Sequence, residues 1–556
     1  MDELPQRNDW LLIGQPDVGG DPALFRASHS QEFEAYTLSE RCSRVVPSLS
    51  HLQKAIAPHI FNGLDFYDEA AVHWSMAHEY RELYCLHALQ KLYTERKLVL
   101  RHNLQLAMKA GLNQEGSSEE EEVREEQPKE KAKKLLDDET EDDKFRDQGF
   151  TRPSMLIIVP FRNTAYDVIR TLQKQWALIT GHPHLDNSDR IDEEYGSDSS
   201  PSLSQSDGDH DREHAYNLRG NVDDCFRIGL KCTKRELKAF TEFYSSDVLV
   251  CSPLGLRLVV EGQSERRTFS QRGRGGKKGV KRIKRKGDSD FLSSIQLLIM
   301  DEAHILAHQN WDHLHTVLAA LNHLPKESHG CDFSRVKSLF LDGHARFTRQ
   351  NIVLSAYAFP ELNALLANRL LFSNVKGAVK RSYTEHCGVL SLLKSKSKLA
   401  PQLHLLPEGE IEKAPEQRLA YFMQELLPWL DDGTAIFISS YLDFSVLRHA
   451  LESREIPLAV LSEYATGPEI SAARTRFYNG HAKLLLVSER FHFFHGYKVR
   501  GIKQLMFYSL PENKRAFLHW ALSVEGNGDL PIIVSPFDAL KAERILGTKR
   551  FQKLVA

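Results

Sequence analysis

The sequence lacks three features that would place it in common classes of protein. It has no C-x-x-C pair, no apolar stretch near the roughly 18 residues that a membrane helix needs, and no apolar secretory segment in its first residues, MDELPQRNDW. Its seven cysteines are scattered, which argues against a disulfide framework and a zinc site. These absences predict a soluble protein without a membrane or metal partner, in a reducing compartment, the cytosol or the nucleus.

Charge is segregated along the chain, although the formal net charge is only −3. Residues 113–148 and 186–222 are rich in Glu, Asp and Ser and poor in large apolar residues, which predicts acidic surface inserts that are disordered or form a solvated helix. Residues 264–290 are intensely basic, and the core KKGVKRIKRK has the composition of a nuclear-localisation or nucleic-acid patch. The candidate RNA contacts there are Lys277, Lys278, Lys281, Arg282, Lys284, Arg285 and Lys286. The alternative is a solvated loop without a partner.

Short, unbroken apolar runs alternate with helical segments in both halves of the chain. Such runs are typical of strands buried on both faces. The predicted strands lie within 154–160, 246–253, 295–304, 336–343 and 351–357, and then within 434–441, 457–464, 482–490, 502–511 and 530–536. The pattern predicts two α/β domains in series with parallel sheets, whose ligand sites lie at the carboxyl ends of the strands.

Polar residues at those strand ends resemble, in order, the motifs of DEAD/DEAH-box RNA helicases. Asp301-Glu302-Ala303-His304 matches the acidic motif, 160–165 stands where such helicases carry P-T-R-E-L-A, 252–257 where they carry T-P-G-R, and 355–357 where they carry S-A-T. The resemblance implies two tandem RecA-like domains of the DEAD-box type. The implied division is an N-terminal extension (1–47), domain 1 (48–378, with the three inserts), a linker (379–401) and domain 2 (402–556).

Most of the residues that would bind and hydrolyse ATP are missing. Phosphoryl transfer in this fold needs the loop G-x-x-x-x-G-K-[ST] and arginines that stabilise transition-state charge. The only Gly-Lys pair, Gly276-Lys277, lies in the basic insert, and no arginine occurs between Arg515 and Arg544. We therefore expect no catalytic residues, no bound metal and no cofactor, with Asp301 and Glu302 as vestiges at a strand end. The alternative is that this pair still binds Mg²⁺ and activates water.

A narrower resemblance rests on 80–103, 160–165, 243–256, 290–314, 488–511 and 545–555. These segments are similar to the small nucleolar RNA-associated protein 25, or digestive organ expansion factor, family of the small-subunit processome. The family resemblance implies a nucleolar, non-catalytic, helicase-like RNA-binding scaffold that supports pre-rRNA processing and 18S rRNA maturation. Its implied partners are pre-ribosomal RNA, small nucleolar RNA and processome proteins. The competing hypothesis is an RNA-dependent DEAH-type ATPase with an unconventional nucleotide site.

The helicase motifs also supply candidate RNA-backbone contacts that need no ATP. They are Arg162, Asn163, Ser252, Gly255, Arg257 and Arg490. Helix N-termini that follow strands offer N–H donors for phosphates at such positions. The alternative reading is hydrogen bonding at the sheet edge and between domains. The aromatic cluster at 491–497 is expected to serve packing.

Overall fold

The computed structural model describes residues 9–13, 42, 49–68, 77–109, 143–196, 209–233, 235–262, 265–268, 280–283, 287–382, 388–526 and 528–555. The chain forms two compact units, of which the first comprises 1–200, 219–356 and 362–382, and the second the rest. The helices are α1 His51–Phe61, α2 Ala77–Lys109, α3 Arg162–Thr180, α4 Ser188–Tyr195, α5 Asp209–Asn217, α6 Pro253–Val260, α7 Ala303–His308, α8 Trp311–Ala319, α9 Ser338–Leu341, α10 Pro360–Ala367, α11 Leu390–Lys396, α12 Ala414–Tyr421, α13 Tyr441–Glu452, α14 Gly467–Tyr478, α15 Glu489–His495, α16 Lys514–Leu522, α17 Ala539–Leu546 and α18 Thr548–Val555.

The first unit is built on a ten-stranded sheet in the order β1-β12-β2-β11-β10-β3-β7-β5-β6-β4. Its strands are β1 Asp9–Ile13, β2 Asp65–Asp68, β3 Met155–Ile158, β4 Leu185–Asp186, β5 Arg227–Cys232, β6 Leu237–Ala239, β7 Val248–Cys251, β10 Leu297–Met300, β11 Gln350–Leu354 and β12 Ala378–Ser382. The six strands from β12 to β7 run parallel. Strands β3, β7, β10 and β11 are buried at every position, as runs of aliphatic residues covered on both faces should be.

The second unit contains a six-stranded, fully parallel sheet in the order β13-β18-β17-β14-β16-β15. Its strands are β13 Ala400–Leu405, β14 Thr434–Ile438, β15 Leu458–Leu461, β16 Leu484–Ser488, β17 Gln504–Phe507 and β18 Asp529–Val534. Two hydrophobic clusters cover its faces, one around Phe437, Phe507 and Trp520 and the other around Ile436, Phe444 and Tyr508. The predicted class, two tandem α/β domains with parallel sheets, is confirmed.

One of the ten predicted strands is wrong. The segment 336–343 forms the short helix α9 rather than a strand. Phe340 there packs with Phe150 and Val336 in a small cluster separate from the sheet. Periodicity cannot distinguish a helix from a strand in so short an apolar run, and this local packing decides for the helix. The other nine segments each contain a strand.

Parts of the three predicted inserts are folded, and the remaining residues of those segments, 113–142, 197–208, 264, 269–279 and 284–286, lie outside the described residues. In the segment 113–148, Asp147 is buried and its carboxylate accepts hydrogen bonds from Arg335 Nη2 at 2.7 Å. In the segment 186–222, α4 buries Ile191 and Tyr195, and α5 belongs to the second unit. The basic segment contains an antiparallel pair of strands, β8 Glu265–Thr268 and β9 Val280–Ile283. Charge composition missed these contacts because it carries no information about which residues pair with or pack against one another.

The unit boundaries also differ from the predicted ones. Strand β1, from the predicted N-terminal extension, pairs with β12 in the first sheet. The predicted linker 379–401 contains most of β12, the helix α11 and the start of β13, and along the chain the first unit ends at Ser382. Residues 201–218 and 357–361 belong to the second unit. Within the described chain, no helix is long and apolar enough to cross a membrane.

Candidate functional site

The acid pair lies at the carboxyl end of the central strand β10. Asp301 and Glu302 follow the strand directly, and the backbone N–H of Asp301 donates to the carbonyl of Ile158 on β3 at 3.0 Å. Glu302 has the left-handed backbone conformation, φ 53°, before α7 begins. The two residues are only 1% and 2% exposed. Buried carboxylates of this kind need a charge partner or a metal.

The charge partner is Arg81, on the first turns of α2. Its Nε donates to Asp301 Oδ2 at 2.9 Å, and its Nη2 donates to Glu302 Oε1 at 2.6 Å. The remaining arm, Nη1, donates to Asp167 Oδ2 at 3.1 Å. The guanidinium is itself buried, with 1% of the side chain exposed. One planar cation therefore binds both carboxylates of the DEAH motif through charge-assisted hydrogen bonds.

Neutral donors complete the shell around the pair. Tyr84, one turn after Arg81 on α2, donates its hydroxyl to Asp301 Oδ2 at 3.0 Å, and Thr164 donates to Glu302 Oε2 at 2.9 Å. Burial raises the pKa of the Asp301 carboxyl above its usual value, and the Arg81 guanidinium opposes that rise. Burial beside Asp301 also raises the pKa of Tyr84 well above its usual range. The arrangement binds both carboxyl groups with groups of the protein alone.

Sequence reasoning missed Arg81 and Tyr84, although a signal for them exists. The two residues are three apart in the stretch YRELY, so they lie on one face of a helix. An acid pair that has lost its phosphate loop must find another cation, because an unpaired buried carboxylate costs several kcal/mol, about 3–5 in measured cases. No local pattern says which cation it is, since Arg81 and Asp301 are 220 residues apart.

The candidates after β3 have partners within the first unit. The Arg162 guanidinium pairs with Asp223 at 2.9 Å and lies over the Tyr195 ring, 4.9 Å from its centroid. The Asn163 side chain donates from Nδ2 to the carbonyl of Arg219 at 2.7 Å. Both residues therefore fix the chain near 219–223 against the start of α3. Whether they also contact RNA stays a prediction.

The candidates after β7 form a helix cap and a close backbone contact. Ser252 accepts a hydrogen bond at Oγ from the N–H of Gly255 at 3.0 Å, which caps α6. A Cβ added to Gly255 would lie 2.1 Å from the carbonyl oxygen of Phe226, so only glycine fits there. Arg257 pairs with Glu261 on the same helix at 2.9 Å. These contacts explain the residues by packing, and their contact with RNA stays a prediction.

The carboxyl edge of the second sheet carries paired acidic and basic groups, among them Glu512 with Lys541 and Arg544. Glu463 lies 3.7 Å from Arg490 Nε and accepts a hydrogen bond from the Ser488 hydroxyl at 2.7 Å. Glu489, at the start of α15, is buried and accepts a hydrogen bond from the N–H of Glu512 at 2.8 Å. Burial, with the neighbouring Glu512 carboxylate, raises the pKa of Glu489 to about 8. Arg490 is therefore a neutralised cation rather than part of a basic edge.

The raised pKa of Glu489 predicts how the stability of the second unit depends on pH. The folded carboxyl keeps its proton up to about pH 8, whereas the unfolded one loses it near its usual 4.5. Between these values the folded state binds more protons, so stability falls as pH rises, by at most about 1.4 kcal/mol per pH unit. Glu489→Gln removes this slope. Urea denaturation between pH 5 and about 8 measures it.

The control for this prediction is Glu416→Gln, which changes an exposed glutamate of the same unit. The control should keep the wild-type slope. An equal slope in wild type and Glu489→Gln would show that Glu489 is ionised in the folded protein across this range.

Most of the basic RNA-contact candidates of the segment 264–290 cannot be placed. Lys277, Lys278, Lys284, Arg285 and Lys286 lie outside the described residues. Lys281 and Arg282 are in β9, where only the backbone is described. In the part of the chain that the structure describes, no group of three or more His, Cys, Asp or Glu residues could hold a metal ion.

Comparisons with known proteins identify the family of the chain. Two family models match, the NTP hydrolase-like domain of UTP25 at residues 65–379 and the C-terminal domain of Utp25 at 392–556. The U3 small nucleolar RNA-associated protein 25 of Neurospora crassa is 34% identical over 100% of this chain and 69% of that protein, and the protein of the same name from Arthroderma benhamiae is 32% identical over 98% and 71%. The protein NUCLEOLAR FACTOR 1 of Arabidopsis thaliana is 32% identical over 85% and 60%.

Solved structures of helicases are more distant. The RNA helicase Prp28 of Chaetomium thermophilum bound to ADP is 13% identical, with a TM-score of 0.26 over 91% of this chain and 84% of that one. A DEAD box protein of Methanococcus jannaschii is 10% identical, with a TM-score of 0.25 over 93% and 95%. Similarities this low support no conclusion. On the family models and the curated relatives, the chain belongs to the family of U3 small nucleolar RNA-associated protein 25.

Proposed function

We propose that this protein is a non-catalytic, helicase-like RNA-binding scaffold of ribosome biogenesis. The observation that carries the non-catalytic part is the position of Arg81, whose guanidinium donates to both Asp301 and Glu302. In a DEAH-type ATPase these carboxylates serve Mg²⁺ and the attacking water. Here their oxygens accept from Arg81, Tyr84 and Thr164.

The cost of removing Arg81 from Asp301 and Glu302 favours the arrangement with this ion pair over one with bound Mg²⁺ and nucleotide. Mg²⁺ could reach Asp301 only if Arg81 left, and a buried ion pair that loses one partner costs about 3–5 kcal/mol. A phosphate loop would offset that cost with backbone N–H donors and a lysine, but the sequence lacks the loop. The protein therefore gains nothing from exchanging its own cation for a metal and a nucleotide.

The names of the relatives support the biological setting. Curated relatives are called U3 small nucleolar RNA-associated protein 25, and a plant relative is called NUCLEOLAR FACTOR 1. We infer that this chain acts in the nucleolus, with pre-ribosomal RNA, small nucleolar RNA and small-subunit processome proteins as partners. There it supports pre-rRNA processing and 18S rRNA maturation. The basic segment 264–290 favours RNA as a direct partner, because clustered cations gain most by neutralising phosphates.

The proposal predicts RNA binding without nucleotide binding. A labelled single-stranded fragment of pre-ribosomal RNA should bind the full chain with an affinity that falls steeply with salt. ATP with Mg²⁺, titrated to about 1 mM, a concentration at the upper end of typical enzyme KM values, should neither saturate a site nor change the affinity for RNA. Isothermal titration calorimetry measures the binding of ATP to the protein. Fluorescence anisotropy measures the affinity for RNA with and without ATP.

Two outcomes would contradict the proposal. Micromolar ATP binding that is abolished by Asp301→Asn but kept by the control Asp312→Asn, an exposed residue of α8, would favour the ATPase hypothesis. A chain that does not bind RNA at any salt concentration would be a protein-binding adaptor instead.

A further inference from the structure

A basic and aromatic surface lies at the amino edge of the second sheet, opposite the strand ends that carry the helicase-like motifs. We call it the amino-edge patch and define it by Arg474, Tyr478, Tyr497, Lys498, Arg500 and Lys503. Tyr478 ends α14 shortly before β16 begins, and Lys503 directly precedes β17. Because β16 and β17 both run parallel to β14, the starts of these strands share one edge.

Aromatic contacts hold the cations of the patch in place. The Arg474 guanidinium lies over the Tyr497 ring, 4.9 Å from its centroid, and its Nη2 donates to the carbonyl of Lys498 at 3.4 Å. On the Tyr497 ring, the His495 ring is stacked at 5.7 Å with an interplanar angle of 9°. Arg474 and the backbone of Lys498 are thus fixed by one stack rather than left on loose side chains.

A glycine turn places Tyr478 beside these cations. Gly501 has φ +81°, a conformation that side-chain-bearing residues rarely adopt. A Cβ added there would lie 3.2 Å from Tyr478 Cδ2, so the tyrosine ring packs closely on the turn that carries Arg500. Tyr478 is nevertheless 65% exposed. A large aromatic ring is therefore held on the backbone with most of its surface open to solvent.

The local charge is positive. Residues 474–503 contain six Lys and Arg residues besides Arg490, which lies with the buried Glu489 at the opposite edge of the sheet. One of the six, Lys483, pairs with Asp432 at 3.5 Å. Lys498, Arg500 and Lys503 are exposed. The nearby carboxylate of Glu525 accepts a hydrogen bond from the N–H of Gly501 at 3.0 Å. A cluster of cations of this density attracts a polyanion.

We propose that the amino-edge patch binds single-stranded RNA, with phosphates on Arg474, Lys498, Arg500 and Lys503 and a base stacked on Tyr478. Cations that follow a backbone, combined with an exposed aromatic ring, are the features of sequence-tolerant single-strand binding. The proposal rests on the proposed function for RNA as a partner of this protein. The RNA would then bind at the amino edge of the sheet. Arg490 lies at the opposite edge, close to Glu463 and Glu489.

The exposed tyrosine favours RNA over an acidic segment of a partner protein. An acidic peptide would pair with the cations of the patch alone, and its binding would not need the exposed Tyr478 ring. A nucleobase gains from stacking on Tyr478, because every base presents a π-face. RNA binding should therefore depend on the Tyr478 ring, whereas binding of an acidic peptide should not.

The test compares variants of the full chain for binding to a labelled single-stranded RNA of mixed sequence, by fluorescence anisotropy at several salt concentrations. Lys498→Gln/Arg500→Gln/Lys503→Gln should weaken binding at least about tenfold at 0.1 M salt and reduce the salt slope by about 2, since each phosphate contact contributes about 0.7. Tyr478→Ala should weaken binding about fivefold or more with the slope unchanged, and Tyr478→Phe should bind as wild type does.

The matched control removes three exposed charges elsewhere in the same unit, Lys413→Gln/Arg448→Gln/Lys549→Gln, and should change affinity much less. Equal effects of the two triple variants would overturn the patch while leaving RNA binding intact. Loss of poly-glutamate binding in the patch variant, with no effect of Tyr478→Ala on RNA, would assign the patch to an acidic protein and overturn the proposal. No RNA binding by the wild-type chain would overturn the proposed function as well.

Discussion

Arg81→Met is expected to lower the free energy of unfolding of the first unit by about 3–5 kcal/mol, the cost of leaving buried charges without their partner. Methionine keeps much of the volume and the apolar stem of Arg81 but removes the cation from Asp301 and Glu302. Both carboxylates are almost fully buried and cannot turn to solvent. Hydrogen exchange of the backbone amides of β3 and β10, followed by mass spectrometry, measures the loss.

Two further variants separate charge from packing. Arg101→Met changes an exposed arginine on the same helix and should alter stability by less than about 0.5 kcal/mol. Arg81→Met/Asp301→Asn/Glu302→Gln removes the cation and both charges together, and it should recover part of the loss because no buried charge is left. If the triple variant were no more stable than Arg81→Met, the lost stability would come from packing and not from the ion pairs.

Gly255→Ala is expected to destabilise the first unit by about 3 kcal/mol, at the upper end of the usual cost of overpacking. Its Cβ would lie 2.1 Å from the carbonyl oxygen of Phe226 and 2.7 Å from the carbonyl carbon. Both contacts are to backbone, which cannot rotate away as a side chain would. Amide hydrogen exchange in β7 and the neighbouring β5 measures the effect.

Gly467→Ala is the control for this substitution. A Cβ at Gly467, the first residue of α14, meets nothing within 4 Å, so alanine there should be neutral or slightly stabilising. If Gly255→Ala kept the wild-type stability but weakened RNA binding, Gly255 would have the RNA-contact role that its helicase-like motif predicts, and the packing explanation would be wrong.

The sequence predicts four of the ten described strands of the first sheet and five of the six of the second, because burial on both faces leaves a local trace. Strands such as β10 and β16 are unbroken aliphatic runs, and no partner needs to be known to recognise them. The edge strand β13 was missed because its residues are exposed or half-buried, and because it pairs with a strand more than a hundred residues away. The interior strand β2 was missed although it is buried at every position, because it is only four residues long and has an aspartate at each end. The segment 336–343 failed for the opposite reason, since its apolar run suits a helix equally well.

The sequence predicted the position of the acid pair but not the residues that bind it. The motif order placed Asp301 and Glu302 correctly at the end of a central strand. It could not supply Arg81, because an ion pair leaves no periodic signal in either segment. Likewise, Arg162 and Ser252 stand where the motifs predict, but their partners, Asp223 and the backbone of Gly255, come from local turns and caps.

The arginine at the acid pair differs from a bound nucleotide in one physical respect. A nucleotide dissociates and rebinds at rates set by its concentration and its affinity, and an ATPase changes state with each exchange. Arg81 is part of the chain, so the acid pair has its cation without any ligand binding from solution. Under the proposed non-catalytic function, the carboxyl edge of the first sheet keeps the same state at every ATP concentration, as a fixed component of an assembly would.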